Sequence, residues 1–230
     1  EPEIVDLQNF LNRMGADVKG AGTDEIKIRG TTVLGPAEHT VIPDRIEAGT
    51  LMIAATITGG DVVVSNVIPE HFEALTAKLR EAGAVVDIGE DSVRVKGANP
   101  IRSVDVRTLS YPGFATDLQP QFMALMAVGQ GTSIITETIF ENRFKHVSEL
   151  RRMGADIKVE GQTTIIKGVP KLSGAVVEAS DLRAGAALVL AALMAEDGTV
   201  IENIEHIDRG YDRLEKKLGS LGARIIRVHS

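Results

Sequence analysis

Apolar residues in this chain fall into two alternating periods. Stretches with apolar positions three and four residues apart give way, at a Gly, to stretches rich in β-branched residues. LNRMGADV (11–18), LREAGAVV (79–86), LRRMGADI (150–157) and LGSLGARI (218–225) write one such junction four times. Each reads as a helix closed by a Gly in the left-handed conformation, with a strand beyond it. A second phrase interleaves with the first: PDRIEAGTLMIAATITGGDVVVSNV (43–67), TDLQPQFMALMAVGQGTSIITETI (116–139) and SDLRAGAALVLAALMAEDGTVIENI (180–204). Each carries an Asp at its second position, runs through an apolar helix, breaks at Gly and resumes as a strand. The pattern predicts a fold built of modules of about 70 residues, with functional groups where module ends converge.

The two periods predict a helix over 3–14, paired strands near 16–20 and 25–29, and an extended stretch over 38–42 up to Pro43. Three repeats follow, near 43–100, 101–170 and 171–230. The first has helix 45–57, strand 61–66, helix 70–81 and strands 84–88 and 92–96. The second has strand 103–107, helix 118–128, strand 132–138, helix 146–153 and strands 155–159 and 163–167. The third has strand 174–178, helix 182–195, strand 199–203, helix 211–220 and strand 223–228. This order is α/β in character. The helix from 182 is apolar nearly all round and is expected at the centre. YDRLEKKLGSL is amphipathic and is expected outside it. One inner and one outer helix per repeat imply pseudo-threefold packing, and the rhythm resets near Ile42–Pro43, the expected domain boundary.

The 230 residues suffice for one large domain or two modest ones. A net charge of −7 argues against nonspecific binding to nucleic acid or an anionic membrane. An acidic protein can still hold a basic pocket for a phosphorylated small molecule. With no Cys there is neither a disulfide framework nor a thiolate metal site. The longest apolar run, Ala184 to Ala195, is too short to span a bilayer. The chain opens at Glu1, already inside a helical pattern, so it is expected to be a fragment or the downstream half of a longer protein.

Asp44, Asp117 and Asp181 hold matching positions, each just before an apolar helix. Asp is a favoured N-cap, worth roughly 1 kcal/mol. A carboxylate at converging helix starts can also act as a base or bind a sugar hydroxyl. Arg143, Arg183 and Arg209 lie at junctions between elements. Several guanidinium forks aimed at one cleft would bind phosphate or carboxylate, whereas surface pairing with Glu141, Asp181 and Asp208 would make them structural. The residues alone leave both readings open. His146 and His206 lie in the same loops. No H-x-x-x-H, H-E-x-x-H, phosphate-loop or G-x-S-x-G motif occurs, so neither a metal nor a cofactor is expected. The aromatic share of 3% leaves few platforms for stacking nucleic-acid bases.

TDLQPQFMAL, ITETIFENRFKHVSELRRMGADI, DLRAGAALVLAAL and HIDRGYDRLEKKLGSLGA resemble the UDP-N-acetylglucosamine 1-carboxyvinyltransferases, the enolpyruvyl transferases that begin peptidoglycan synthesis. The resemblance covers the whole chain but little more than half of the family's length. It implies an inside-out α/β barrel of two domains, with residues 1–42 the tail of the first, catalytic domain and 43–230 most of the second. It implies transfer of the enolpyruvyl group of phosphoenolpyruvate to the 3-hydroxyl of UDP-N-acetylglucosamine, with release of phosphate, in the bacterial cytoplasm. By motif, Asp117 resembles the carboxylate that binds the sugar hydroxyl and takes its proton, and Arg209 the cation that binds phosphoenolpyruvate. Arg143 and Arg183 resemble further cleft cations, and Asp181 the acid beside the reactive loop. Ile139 resembles the residue whose backbone contacts the nucleotide sugar, and Glu1 and Glu3 acids bordering the site. The family's Lys–Asn pair and its reactive Cys or Asp loop lie upstream of Glu1, so the missing N-terminal half is an expected partner and this piece alone is expected to be inactive. A shikimate-pathway enolpyruvyl transferase, a noncatalytic nucleotide-sugar-binding remnant and a purely structural repeat protein are the alternatives.

Overall fold

A computed structural model describes residues 1–228. The chain opens with helix α1 (Pro2–Arg13) and an antiparallel pair, β1 (Asp17–Lys19) and β2 (Lys27–Arg29). The first repeat holds α2 (Arg45–Thr58), β3 (Asp61–Ser65), a 3-10 turn (Pro69–Phe72), α3 (Glu73–Glu81), β4 (Val85–Ile88) and β5 (Ser92–Lys96). The second holds β6 (Val106–Arg107), a 3-10 turn (Thr116–Leu118), α4 (Gln119–Ala127), β7 (Thr132–Thr136), α5 (Val147–Arg152), β8 (Asp156–Glu160) and β9 (Thr163–Lys167). The third holds β10 (Leu172–Ser173), β11 (Val176–Glu178), α6 (Leu182–Ala192), β12 (Ala195–Glu196), β13 (Val200–Glu202), α7 (Glu205–Asp208) and α8 (Leu214–Ser220).

The repeated junction is one motif four times over. Gly15, Gly83, Gly154 and Gly222 have φ of 98°, 107°, 92° and 104°. In each case the following Ala N–H bonds back to the Leu five residues earlier, and the Gly N–H to the residue three back. This double bond pattern satisfies the last helical carbonyls and turns the chain out of the helix.

Helices α2, α4 and α6 pack on one another at the centre. All nine residues of α4 are buried, as are ten in α2 and eight in α6. Sheets β3-β5-β4 and β6-β7-β9-β8 surround them, with β6 parallel to β7 and the other pairs antiparallel. Two parallel pairs, β10-β12 and β11-β13, complete the shell. Strands β5 and β9 turn alternate residues inward, so each sheet presents an apolar face to the helices.

Three expectations fail. The residues 223–228 form no strand. These residues pair with no strand among the described residues, and Ile226 and Val228 are 85% and 74% exposed. The helix from 182 ends at Ala192, because Ala195–Glu196 pairs with Leu172–Ser173 instead. The helix expected from 211 begins at Leu214, since Arg213 adopts a left-handed φ of 48°. No helix among the described residues is long and apolar enough to cross a membrane.

Candidate active site

The three matching Asp residues separate into two kinds. Asp44 caps α2, accepting from the N–H groups of Ile46 (2.7 Å) and Glu47 (3.1 Å). Asp181 caps α6, accepting from Arg183 (2.9 Å) and Ala184 (2.8 Å). Asp117 caps nothing. Its turn places the carboxyl between two guanidiniums: Arg143 Nη2 donates to Oδ1 at 2.6 Å, and Arg183 donates to Oδ2 from Nη2 (2.9 Å) and Nε (3.2 Å). Both arginines are largely buried, with side chains 20% and 14% exposed, while Asp117 keeps 36%. The cluster is therefore reachable from solvent through its acid.

Burial alone would push the Asp117 carboxyl up, but the adjacent Arg183 and Arg143 outweigh it and hold the group below the ordinary carboxylate range. Burial likewise opposes the charge of Arg183, and the neighbouring Tyr211 and Asp117 overcome it and raise its pKa.

Each arginine is held from behind by a different network. Arg143 stacks over the Phe140 ring, 4.5 Å from its centroid, and donates through Nη1 to Thr116 Oγ1 at 2.7 Å. Thr116 in turn donates to Glu137 Oε2 at 2.8 Å. Glu137 is fully buried, and its Oε1 accepts from Thr108 Oγ1 and the Ile139 N–H, both at 2.8 Å. Arg183 lies 5.7 Å from the Tyr211 ring centroid, with Nη1 3.4 Å from the phenol oxygen. Tyr211 Oη is 2.9 Å from Thr50 Oγ1 and accepts from Gln121 Nε2 at 3.1 Å. One phenol thus ties α2, α4 and the start of α6 together at the core of the molecule.

Other expected site residues lie elsewhere. Arg209 makes no ion pair among the described residues; it lines an open cleft with Asp208, Arg213, Lys216 and Arg227. It connects to the cluster only through the chain, two residues before Tyr211. Two of the acids considered as surface partners are engaged otherwise: Asp208 pairs with Arg227 at 2.5 and 2.9 Å, and Asp181 serves as a cap. Glu1 and Glu3 clamp Arg45 at the start of α2, at 2.5 and 2.8 Å, and Glu1 Oε1 accepts from the Tyr111 N–H at 3.0 Å. They have no contact with Asp117. Ile139 projects an exposed side chain, and its N–H is committed to Glu137, so its carbonyl is the backbone group left to meet a ligand.

Glu137, Thr116 and Tyr211 were not singled out from the sequence. A signal for Glu137 exists: Ser133, Ile135 and Glu137 alternate along β7 and its continuation, and all three are fully buried. A Glu on the inward face of a strand requires partners, which marks it.

Residues 1–218 match the family model described as EPSP synthase (3-phosphoshikimate 1-carboxyvinyltransferase). A UDP-N-acetylglucosamine 1-carboxyvinyltransferase 1 of Carboxydothermus hydrogenoformans is 61% identical over 229 residues, covering 100% of this chain and 54% of its own length. A UDP-N-acetylglucosamine 1-carboxyvinyltransferase of Desulfofundulus thermocisternus is 60% identical over 224 residues, covering 97% of this chain and 92% of its own. The crystal structure of the enolpyruvyl transferase NikO from Streptomyces tendae superposes with a TM-score of 0.83 at 31% identity, over 97% of this chain and 54% of NikO. The chain spans about half the length of most of the curated relatives it matches. Its fold is the inside-out α/β barrel of this group, with the apolar helices inside and the sheets around them. The chain belongs to the EPSP synthase family of enolpyruvyl transferases, among the UDP-N-acetylglucosamine 1-carboxyvinyltransferases.

Proposed function

We propose that this chain supplies the second-domain side of an active site that transfers the enolpyruvyl group of phosphoenolpyruvate to the 3-hydroxyl of UDP-N-acetylglucosamine. Residues 1–42 belong in this reading to the tail of the first domain and 43–230 to most of the second. The names carried by relatives about 60% identical support the reading. The observation that carries it is Asp117, the one helix-start Asp that two arginines hold instead of an amide cap.

The chemistry follows from that arrangement. Both substrates are anions, and an anion entering the cluster competes with Asp117 for Arg143 and Arg183. As the guanidiniums turn to the ligand, their hold on the Asp117 carboxylate weakens and burial raises its pKa. The freed carboxylate then takes the proton of the sugar hydroxyl. The oxygen attacks C2 of phosphoenolpyruvate while C3 takes a proton from an acid supplied by the upstream half, giving a tetrahedral ketal. Loss of that C3 proton and of phosphate restores the double bond in the product. Arg209, in its open cleft, is free to take the phosphoenolpyruvate anion when the upstream half closes over it. In this reading the protein works in the bacterial cytoplasm at the first committed step of peptidoglycan synthesis, which serves cell shape and division.

The test is product formation. The full-length protein, given both substrates, is expected to release one phosphate per enolpyruvyl sugar nucleotide formed, and the isolated 230-residue chain is expected to release none. Ordinary turnover by the isolated chain, or none by the full-length protein, refutes the reading.

A further inference from the structure

We infer that Glu137 is a positioning residue for this site, acting through the Thr116 hydroxyl on Arg143 and through backbone N–H groups on the loop that carries Ile139; the inference rests on reading the Asp117 cluster as the nucleotide-sugar site. The geometry is specific. Glu137 is 0% exposed, yet no cation touches it among the described residues. Four donors converge on its carboxylate: Thr108 Oγ1 and the Ile139 N–H at 2.8 Å and the Phe140 N–H at 3.2 Å on Oε1, and Thr116 Oγ1 at 2.8 Å on Oε2.

An anionic acceptor there fixes two things at once. Because the Thr116 proton is committed to Glu137, the Thr116 oxygen must present a lone pair outward, where Arg143 Nη1 finds it at 2.7 Å. Thr116 is also the neighbour of Asp117, so the same carboxylate sets the turn on which Asp117 stands. The Ile139 and Phe140 amides are drawn inward together, and Phe140 then lies under the Arg143 guanidinium. The Thr108 hydroxyl completes the frame by accepting from the Thr138 N–H at 2.8 Å. Glu137 is thus the one buried group shared by the Asp117 turn, the Arg143 side chain and the loop between them. A structural acid would need only the backbone amides; the link through Thr116 to a cleft cation is the part that serves binding.

The experiment uses the full-length protein and separates the link from the fold. E137Q, T116V, T116S and the double variant E137Q/T116V are titrated with UDP-N-acetylglucosamine by calorimetry. The expected result is a loss of affinity of about tenfold or more in E137Q and in T116V, the same loss in the double variant, and wild-type affinity in T116S, which keeps the hydroxyl. Unchanged affinity in T116V, an equal loss in T116S, or a double variant whose loss is the product of the two singles overturns the inference. If the wild-type protein binds no nucleotide sugar, the functional reading fails and the inference is judged without ligand, by titrating the Asp117 carboxyl in carbon-13 NMR. A higher Asp117 pKa in T116V than in T116S supports it, since a loosened Arg143 holds the acid less firmly; equal values overturn it.

Discussion

Arg183, from the first turn of α6, grips Asp117 through two donors on a single carboxylate oxygen, Nη2 at 2.9 Å and Nε at 3.2 Å. Arg143 holds the other oxygen. Two opposing effects act on this acid: burial raises its pKa, and the arginines bring the net result below the ordinary range. Removing the arginines one at a time should therefore raise the Asp117 pKa, and R143Q/R183Q should carry it above that of either single variant. Carboxyl carbon-13 titration of the unliganded protein measures this directly. A pKa in the double variant no higher than wild type contradicts the balance described here.

His146 makes stability depend on pH. It is buried just before α5, its Nε2 has no partner among the described residues, and burial, reinforced by Arg143 and opposed by Asp181, pushes its pKa down to about 4. The unfolded chain takes up a proton near pH 6.5, which the folded chain resists until about pH 4. Stability contributed by this group is thus full above about 6.5, falls as pH drops towards 4, and levels off below; the whole contribution is about 3 kcal/mol. Urea unfolding of wild type and H146Q across this window should show wild-type stability falling, from pH 6.5 to 4, by about 3 kcal/mol more than the variant's. Parallel profiles would show that His146 titrates freely in the fold.

Tyr211 joins Thr50 and Gln121 within the core and touches Arg183 at its edge. Y211F removes only the phenol oxygen. Gln121 Nε2 keeps Thr50 Oγ1 at 3.1 Å, but the shared acceptor is lost. The expected cost is about 1–3 kcal/mol in chemical denaturation, with an unchanged denaturant slope. A cost near zero would mean that the phenol does not fasten the three helices.

Gly185 lets α7 approach α6. A Cβ there would stand 2.5 Å from Ile207 Cγ1 and 3.1 Å from Ala179 Cβ. G185A should destabilise the fold by about 1–3 kcal/mol despite Ala's better helix propensity. Because the clash is with one side chain, G185A/I207A should cost less than the sum of the two single changes. Additive losses would place the strain elsewhere.

Local chemistry made much of this fold legible. The four Gly helix ends read correctly because a Gly acts where it stands, although the strand expected beyond the fourth did not form, and the three apolar helices read correctly because a helix without a polar face must be buried. Non-local pairing was not legible. Nothing between Ala184 and Ala195 announces that Ala195 will pair with Leu172, and the alternation of 223–228 does not reveal whether a partner edge exists. The site divides the same way. Asp117, Arg143 and Arg183 were visible as charges at repeat openings, but Asp44, Asp117 and Asp181 are the same residue at the same place. What separates Asp117 is that its two arginines arrive from 26 and 66 residues away, a distance no local pattern spans. Arg209 stands at a junction between elements as Arg143 does, yet it opens onto its own cleft.

The most direct test compares D117N with D44N in the full-length protein, scored by enolpyruvyl transfer to UDP-N-acetylglucosamine. Asn caps a helix about as well as Asp, so D44N should keep near wild-type turnover. D117N, which cannot accept a proton or neutralise two arginines, should lose about 10²–10⁴-fold. Equal and small losses in both variants would contradict the account, because they would make Asp117 a structural residue like Asp44.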